Sequence, residues 1–143
     1  MSTEDQVRQA SQQFYAALNR MAKGDTDSMV NIWSHNGTVT TMHPIGGREV
    51  GWEQVKEPWK QVAQLAANGE IKLNDQLIQV SGDLAYEVGT EKGHFKLAGE
   101  EISVDQRVTN VYRREAGEWK IVHHHADISP AMVGVISRLQ SKS

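Results

Sequence analysis

Residues 101–127 read EISVDQRVTNVYRREAGEWKIVHHHAD. The stretch is β-rich in composition with a period of two, and it is interrupted once, at Glu115-Ala116-Gly117. That pattern predicts two long strands, 101–115 and 118–127, joined by a tight hairpin turn. Reading towards the N-terminus, Ser81-Gly82-Asp83 and Ala98-Gly99-Glu100 punctuate the chain in the same way and mark two more strands, 70–81 and 84–97. Strands this long are unusual and generally bend. A bent sheet encloses space on its concave side, and helices with one apolar stripe are needed to cover it.

The first half supplies those helices. Thr3 and Gln6 have capping-box spacing, and Val7, Ala10, Phe14, Ala17, Leu18 and Met21 then follow helical periodicity. Met29, Val30, Ile32 and Trp33 predict a short second helix, and Ser34-His35-Asn36-Gly37 a turn. Thr38 to Met42 is β-branched and predicts a strand that stops at His43-Pro44, where Pro44 biases His43 towards extended backbone. A Gly-rich loop, Ile45 to Gly51, precedes a helix carrying Trp52, Val55, Trp59, Val62 and Ala66 on one face, with Pro58 inside the pattern as an expected kink. Ala131 to Leu139, after Pro130, predicts a last short helix. The expected fold is α+β, a single domain over 1–143 with a curved, mainly antiparallel sheet packed against three helices and enclosing a pocket.

Composition narrows the function classes. The chain has no cysteine, which excludes disulfides, a thiol nucleophile and thiolate metal sites. Its formal charge of −3 is scattered, with no basic tract for nucleic acid. No apolar run approaches a membrane span, and the polar N-terminus does not read as a signal peptide, so a cytoplasmic location is the expectation.

Phe14-Tyr15-Ala16-Ala17-Leu18-Asn19, Gly24-Asp25, Trp33 and His43-Pro44 resemble the opening of ketosteroid isomerases. His43-Pro44, Gly51-Trp52 and Trp59 resemble SnoaL-like proteins more closely, within the nuclear transport factor 2-like class. Residues 108–114, Gly117, Trp119 and His123-His124-His125 resemble both that group and the association domain of calcium/calmodulin-dependent kinase II. The resemblance spans nearly the whole chain and implies a cone-shaped fold with a small-molecule pocket. It does not carry the isomerases' machinery with it. The general-base carboxylate before the Pro is replaced by His43; the first-helix Tyr falls on Phe14, with Tyr15 one residue off; the protonated Asp falls on Thr109 or Asn110.

His43 is the leading candidate for chemistry, because an imidazole handles protons near neutrality and this one ends a strand beside a loop. The alternative is that it merely bonds a backbone carbonyl. Strand parity puts His123 and His125 on one face with Trp119 and Ile121, and His124 on the other. The resemblance implies that Val122, His124, Ala126, Asn110 and Tyr112 face the concave side, which makes Asn110 and His124 the further catalytic candidates. Phe14, Tyr15, Trp33, Trp52, Trp59, Val88 and Tyr112 are the candidate substrate-binding residues, although core packing is the plainer reading of any one tryptophan. His123 and His125 with Asp127 are a minority metal reading; two imidazoles are too few, and neither a metal nor a cofactor is expected. Arg107, Arg113 and Arg114 read as a solvated, ion-paired cluster.

Two functions lead, with a metal site at His123 and His125 as a third, minority reading. One is a small-molecule-binding enzyme performing cofactor-free isomerisation, cyclisation or dehydration on an apolar or cyclic substrate. The other is a non-catalytic binding or oligomerisation module. A homodimer is expected under either.

Overall fold

The computed structural model describes residues 2–141. Its elements run α1 (Thr3–Met21), β1 (Thr40–His43), β2 (Gly46–Val50), α2 (Trp52–Leu65), β3 (Ala66–Ser81), β4 (Leu84–Leu97), β5 (Glu100–Glu115), β6 (Glu118–Ala126) and α3 (Pro130–Ser141). The six strands form one curved, unclosed sheet in the order β2-β1-β6-β5-β4-β3. All pairs are antiparallel except β1 with β6. The α+β reading with three helices therefore holds, the three being α1, α2 and α3 and not the short segment expected around Met29–Trp33.

Local chemistry explains the boundaries. Ser2, rather than Thr3, caps α1, its Oγ accepting from the Asp5 N–H at 3.1 Å. The two hairpins at Ala98-Gly99 and Ala116-Gly117 have φ of 52° and 81° in each turn, the paired left-handed geometry that matches strand twist. Residues 26–32 form successive turns instead of the expected short helix, and Trp33 is held by an isolated bridge to Ile121. The Gly-rich loop is likewise a strand, β2, folded back on β1 with Thr40 opposite Val50. Two glycines hide a strand from composition alone, since neither contributes a side chain to the pattern. Helix α2 continues through Pro58, and Gly51 at φ 86° sets its entry.

The core lies between the inner sheet face and α1 and α2. Val7, Phe14 and Leu18 from α1 and Val55 and Trp59 from α2 meet Ile71, Phe95, Ile102, Val104, Tyr112 and Ile121 from the strands. Asn19 ties α1 to β3 through both backbone groups of Ile71, donating to its carbonyl at 3.0 Å and accepting from its N–H at 2.7 Å. Among the described residues no helix is long and apolar enough to cross a membrane.

Candidate functional site

The parallel pairing of β1 with β6 sets Thr41 opposite His124. Thr41, His43 and His124 are all buried on the inner face. The His43 ring meets Trp59 edge-on at 4.7 Å between centroids and lies 5.9 Å from the His124 ring. Its Nε2 is buried with no hydrogen-bond partner, and the nearest carboxylate oxygen, on Glu49, is 3.7 Å away. Burial lowers this imidazole to about 4, so it is neutral at physiological pH.

His124 reaches the inner face through an irregularity. Val111 pairs with His123 but Tyr112 pairs with Ile121, so Val122 is an extra residue in β6. This bulge reverses strand parity and turns both Ile121 and His124 inward. Val122, expected on the concave side, sits half-buried at the bulge, while Asn110, Tyr112 and Ala126 are buried. Burial, with the neighbouring imidazoles of His43, His123 and His125, keeps His124 well below its ordinary range.

A buried polar network continues from His124. Its Nδ1 lies 2.6 Å from Asn110 Oδ1. The Asn110 amide nitrogen donates to the Tyr15 hydroxyl at 3.0 Å and to Glu87 Oε1 at 2.9 Å. Tyr15 O–H donates to Glu91 Oε2 at 2.8 Å, and Gln106 Nε2 donates to Glu91 Oε1 at 2.9 Å. Glu87 also accepts from Tyr112 O–H at 2.9 Å and from Gln76 Nε2 at 2.6 Å. Burial raises Glu91 above the usual carboxylate range, opposed by the hydrogen bonds from Gln106 and Tyr15. Burial, with the nearby carboxylates, raises both tyrosines well above theirs.

His43, His124, Glu91 and Gln106 share one small cavity of about 60 Å³, whose remaining wall is apolar and includes Trp59, Phe95 and Met132. No lysine or arginine lines it. A larger open groove of about 590 Å³ lies elsewhere, between α1 and the β5–β6 turn, lined by Gln6, Gln9, Gln13, Trp119 and Lys120. Of the buried ionisable groups only Tyr112 borders it, whereas His43, His124 and Glu91 all line the smaller cavity, which is therefore the candidate for chemistry.

The structure thus gathers His43, Trp59 and His124 at one wall and puts Asn110, Tyr15 and Tyr112 in the network behind it. Phe14 and Trp33 back the site: Phe14 lies 5.2 Å from the His124 ring and 6.0 Å from Trp59, and Trp33 lies 6.3 Å from Trp59. Trp52 is elsewhere, stacked on His35 at 4.4 Å. Val88 is on the opposite sheet face, paired with Leu77, because inward positions on β4 are odd-numbered. Glu87 and Glu91, absent from the sequence-based candidates, share that odd parity with the buried Ala85, Phe95 and Leu97, and parity alone would have found them.

Among the described residues the His123 and His125 pair gains no third ligand. Asp127 is taken by Arg107, whose Nε lies 2.8 Å from it, and His123 Nδ1 meets Thr40 Oγ1 at 2.6 Å. Among the described residues no group of three His, Asp or Glu is arranged to hold a metal ion. The remaining arginines pair outward, Arg113 with Glu115 and Arg114 with Asp83.

Comparison with known proteins agrees with this architecture. No curated protein matches the chain. A Streptomyces avermitilis structure, described as a proposed dehydratase of the nuclear transport factor 2-like family, is 26% identical with a TM-score of 0.77, covering 88% of this chain and 95% of that one. A Thiobacillus denitrificans structure, described as a proposed calcium/calmodulin-dependent kinase II association domain, is 27% identical with a TM-score of 0.65, covering 84% and 92%. A proposed ketosteroid isomerase from Parabacteroides distasonis shares the fold at 17% identity and a TM-score of 0.66, covering 92% and 91%. The family model of the SnoaL-like domain matches residues 7–132, and the chain belongs to that family.

Proposed function

We propose that the protein binds a small, largely apolar, cyclic molecule in the cavity under Trp59 and moves a proton next to a carbonyl without a cofactor, as in isomerisation, cyclisation or dehydration. One observation carries this reading: two neutral imidazoles and a carboxyl group converge on a single apolar cavity, and the His43 Nε2 there is buried and unpartnered. A buried polar atom without a partner is costly unless a ligand or water completes it. Glu91 supplies, from β4, the carboxylate missing before Pro44. Its raised affinity for a proton suits it to accept one, while neutral His43 hydrogen-bonds the carbonyl oxygen where charge develops.

The cavity is smaller than the roughly 300 Å³ or more of a typical ligand pocket. Entry of a ring therefore requires displacement of Met132, a flexible side chain on α3. The test is proton exchange at the α-carbon of small cyclic ketones in D2O, followed by NMR. The wild type should accelerate exchange, and His43→Asn or Glu91→Gln should lose roughly 10²–10⁴-fold. Absence of exchange across such a panel, or unchanged exchange in both variants, contradicts the catalytic reading.

The alternative, a non-catalytic module, draws on the cavity's small size and on the resemblance to association domains. Both readings accommodate a homodimer through the outer sheet face, where Leu77, Leu84 and Tyr86 are 51%, 48% and 45% exposed. Light scattering should give twice the 16.0 kDa chain mass, and Leu84→Asp should return the protein to monomer. A monomeric wild type removes the dimer, and a large ring favours the module.

A further inference from the structure

We propose that Asn110, clamped between Glu87 and Tyr15, locks His124 as its Nδ1–H tautomer, and that the cavity consequently selects a neutral hydroxyl-bearing ligand over a carboxylate. This rests on the reading of the cavity as a ligand site but not on catalysis.

The lock follows from donor and acceptor inventory. A carboxylate accepts and does not donate, so the Asn110 atom facing Glu87 Oε1 at 2.9 Å is the amide nitrogen. The same nitrogen reaches the Tyr15 hydroxyl at 3.0 Å, and that hydroxyl spends its own proton on Glu91 Oε2 at 2.8 Å. Both amide protons are then engaged, and the amide is fixed with its carbonyl oxygen towards His124. An amide oxygen only accepts, so the His124 Nδ1 at 2.6 Å carries the proton. In the neutral ring Nε2 is then a bare lone pair. Burial and the adjacent imidazoles oppose a second proton there.

The consequence for the ligand is a matter of matching polarity. His124 offers an acceptor, so its partner must donate. The other polar groups on the wall are His43, Gln106 and Glu91, and no cation is present to neutralise an acid. The indole N–H of Trp59, also a wall residue, is buried without a partner and suits an oxygen acceptor. A hydroxyl provides both functions on one atom. A carboxylate would face the lone pair of His124 and the carboxyl of Glu91 with nothing to pair its charge, and burying an unpaired charge is strongly unfavourable.

The experiment uses the full chain labelled with 15N-histidine. Long-range 1H–15N correlation distinguishes a protonated from a bare imidazole nitrogen. For wild type it should show His124 protonated at Nδ1 and bare at Nε2. Calorimetric titration with phenol, benzoate and toluene should give phenol at least tenfold tighter than either, with a shift of the Nε2 resonance on phenol binding alone. In Asn110→Ala the His124 signals should become those of mixed tautomers, and the preference for phenol should fall by about tenfold. A wild-type His124 protonated at Nε2, or benzoate binding as tightly as phenol, overturns the proposal; so does an unchanged tautomer in folded Asn110→Ala. Should that variant not fold, the wild-type spectrum and titrations still decide. A protein that meets these expectations but exchanges no α-protons retains this ligand preference and loses only the catalytic reading.

Discussion

Glu87→Ala is expected to destabilise the protein by about 3–5 kcal/mol, among the largest effects of any single change outside the apolar core. Glu87 lies fully buried at the centre of the network and accepts from three groups, Gln76, Asn110 and Tyr112. Truncation strands the Tyr112 hydroxyl and one proton of the Asn110 amide in the interior, each costing about 1–3 kcal/mol when unsatisfied, and removes a bond from half-buried Gln76, less whatever water enters the space. The same truncation at an exposed carboxylate such as Glu101 should cost less than about 0.5 kcal/mol. Urea unfolding of the two variants beside wild type measures the difference. Equal midpoints would mean that the network contributes little to stability.

The second large effect is a loss of stability in mild acid. A histidine held neutral in the folded state, at about 4 for His43, takes up its proton near 6.5 once unfolded. Between those values the unfolded chain binds more protons, so stability rises with pH there. The contribution is complete above pH 6.5 and disappears as pH falls towards 4. For His43 alone this amounts to roughly 2 kcal/mol between pH 7.5 and 5, and roughly 3 kcal/mol by pH 4. His124 acts in the same direction. Glu91 acts oppositely: its raised folded value favours the protonated carboxyl, so its effect reduces stability as pH rises out of the acid range. Denaturant titrations at pH 7.5 and 5 should show the net loss, and His43→Asn should reduce it by roughly 2 kcal/mol. A His43→Asn profile parallel to wild type would show that His43 is not held neutral by burial.

Much of the fold is legible because its long strands carry a period of two and its turns carry Gly at fixed offsets. Strands β4 to β6 and the hairpins fall close to their expected bounds for that reason, whereas β3 begins at Ala66, a residue the helical pattern had claimed, and not at Glu70. Elements without such a signature escaped. Strand β2 begins with Gly46-Gly47, and the region before Trp33 turns repeatedly without settling into a helix. The site divides the same way. His43 is visible because it stands before Pro44. His124 is not reachable by counting residues from Trp119, because the Val122 bulge breaks the count. Glu87 and Glu91 lie in a strand rich in charge, where carboxylates read as solvent-facing; only alternation with Ala85, Phe95 and Leu97 marks them as buried. Val88 shows the reverse case, an apolar residue whose parity puts it outside.

The buried network ties these pieces together. It holds His124, Tyr15 and Glu91 in fixed orientations behind a cavity that has apolar walls and no cation. Such an arrangement is costly to build from polar groups, and its cost is understandable where the groups meet a ligand. The claim is therefore tested most directly by a crystal structure of the protein grown with phenol. Density is predicted in the cavity, with the hydroxyl within hydrogen-bond distance of His124 Nε2 and the ring against Trp59 and a displaced Met132. A cavity left without phenol while the groove beside Trp119 and Lys120 is filled would contradict the account.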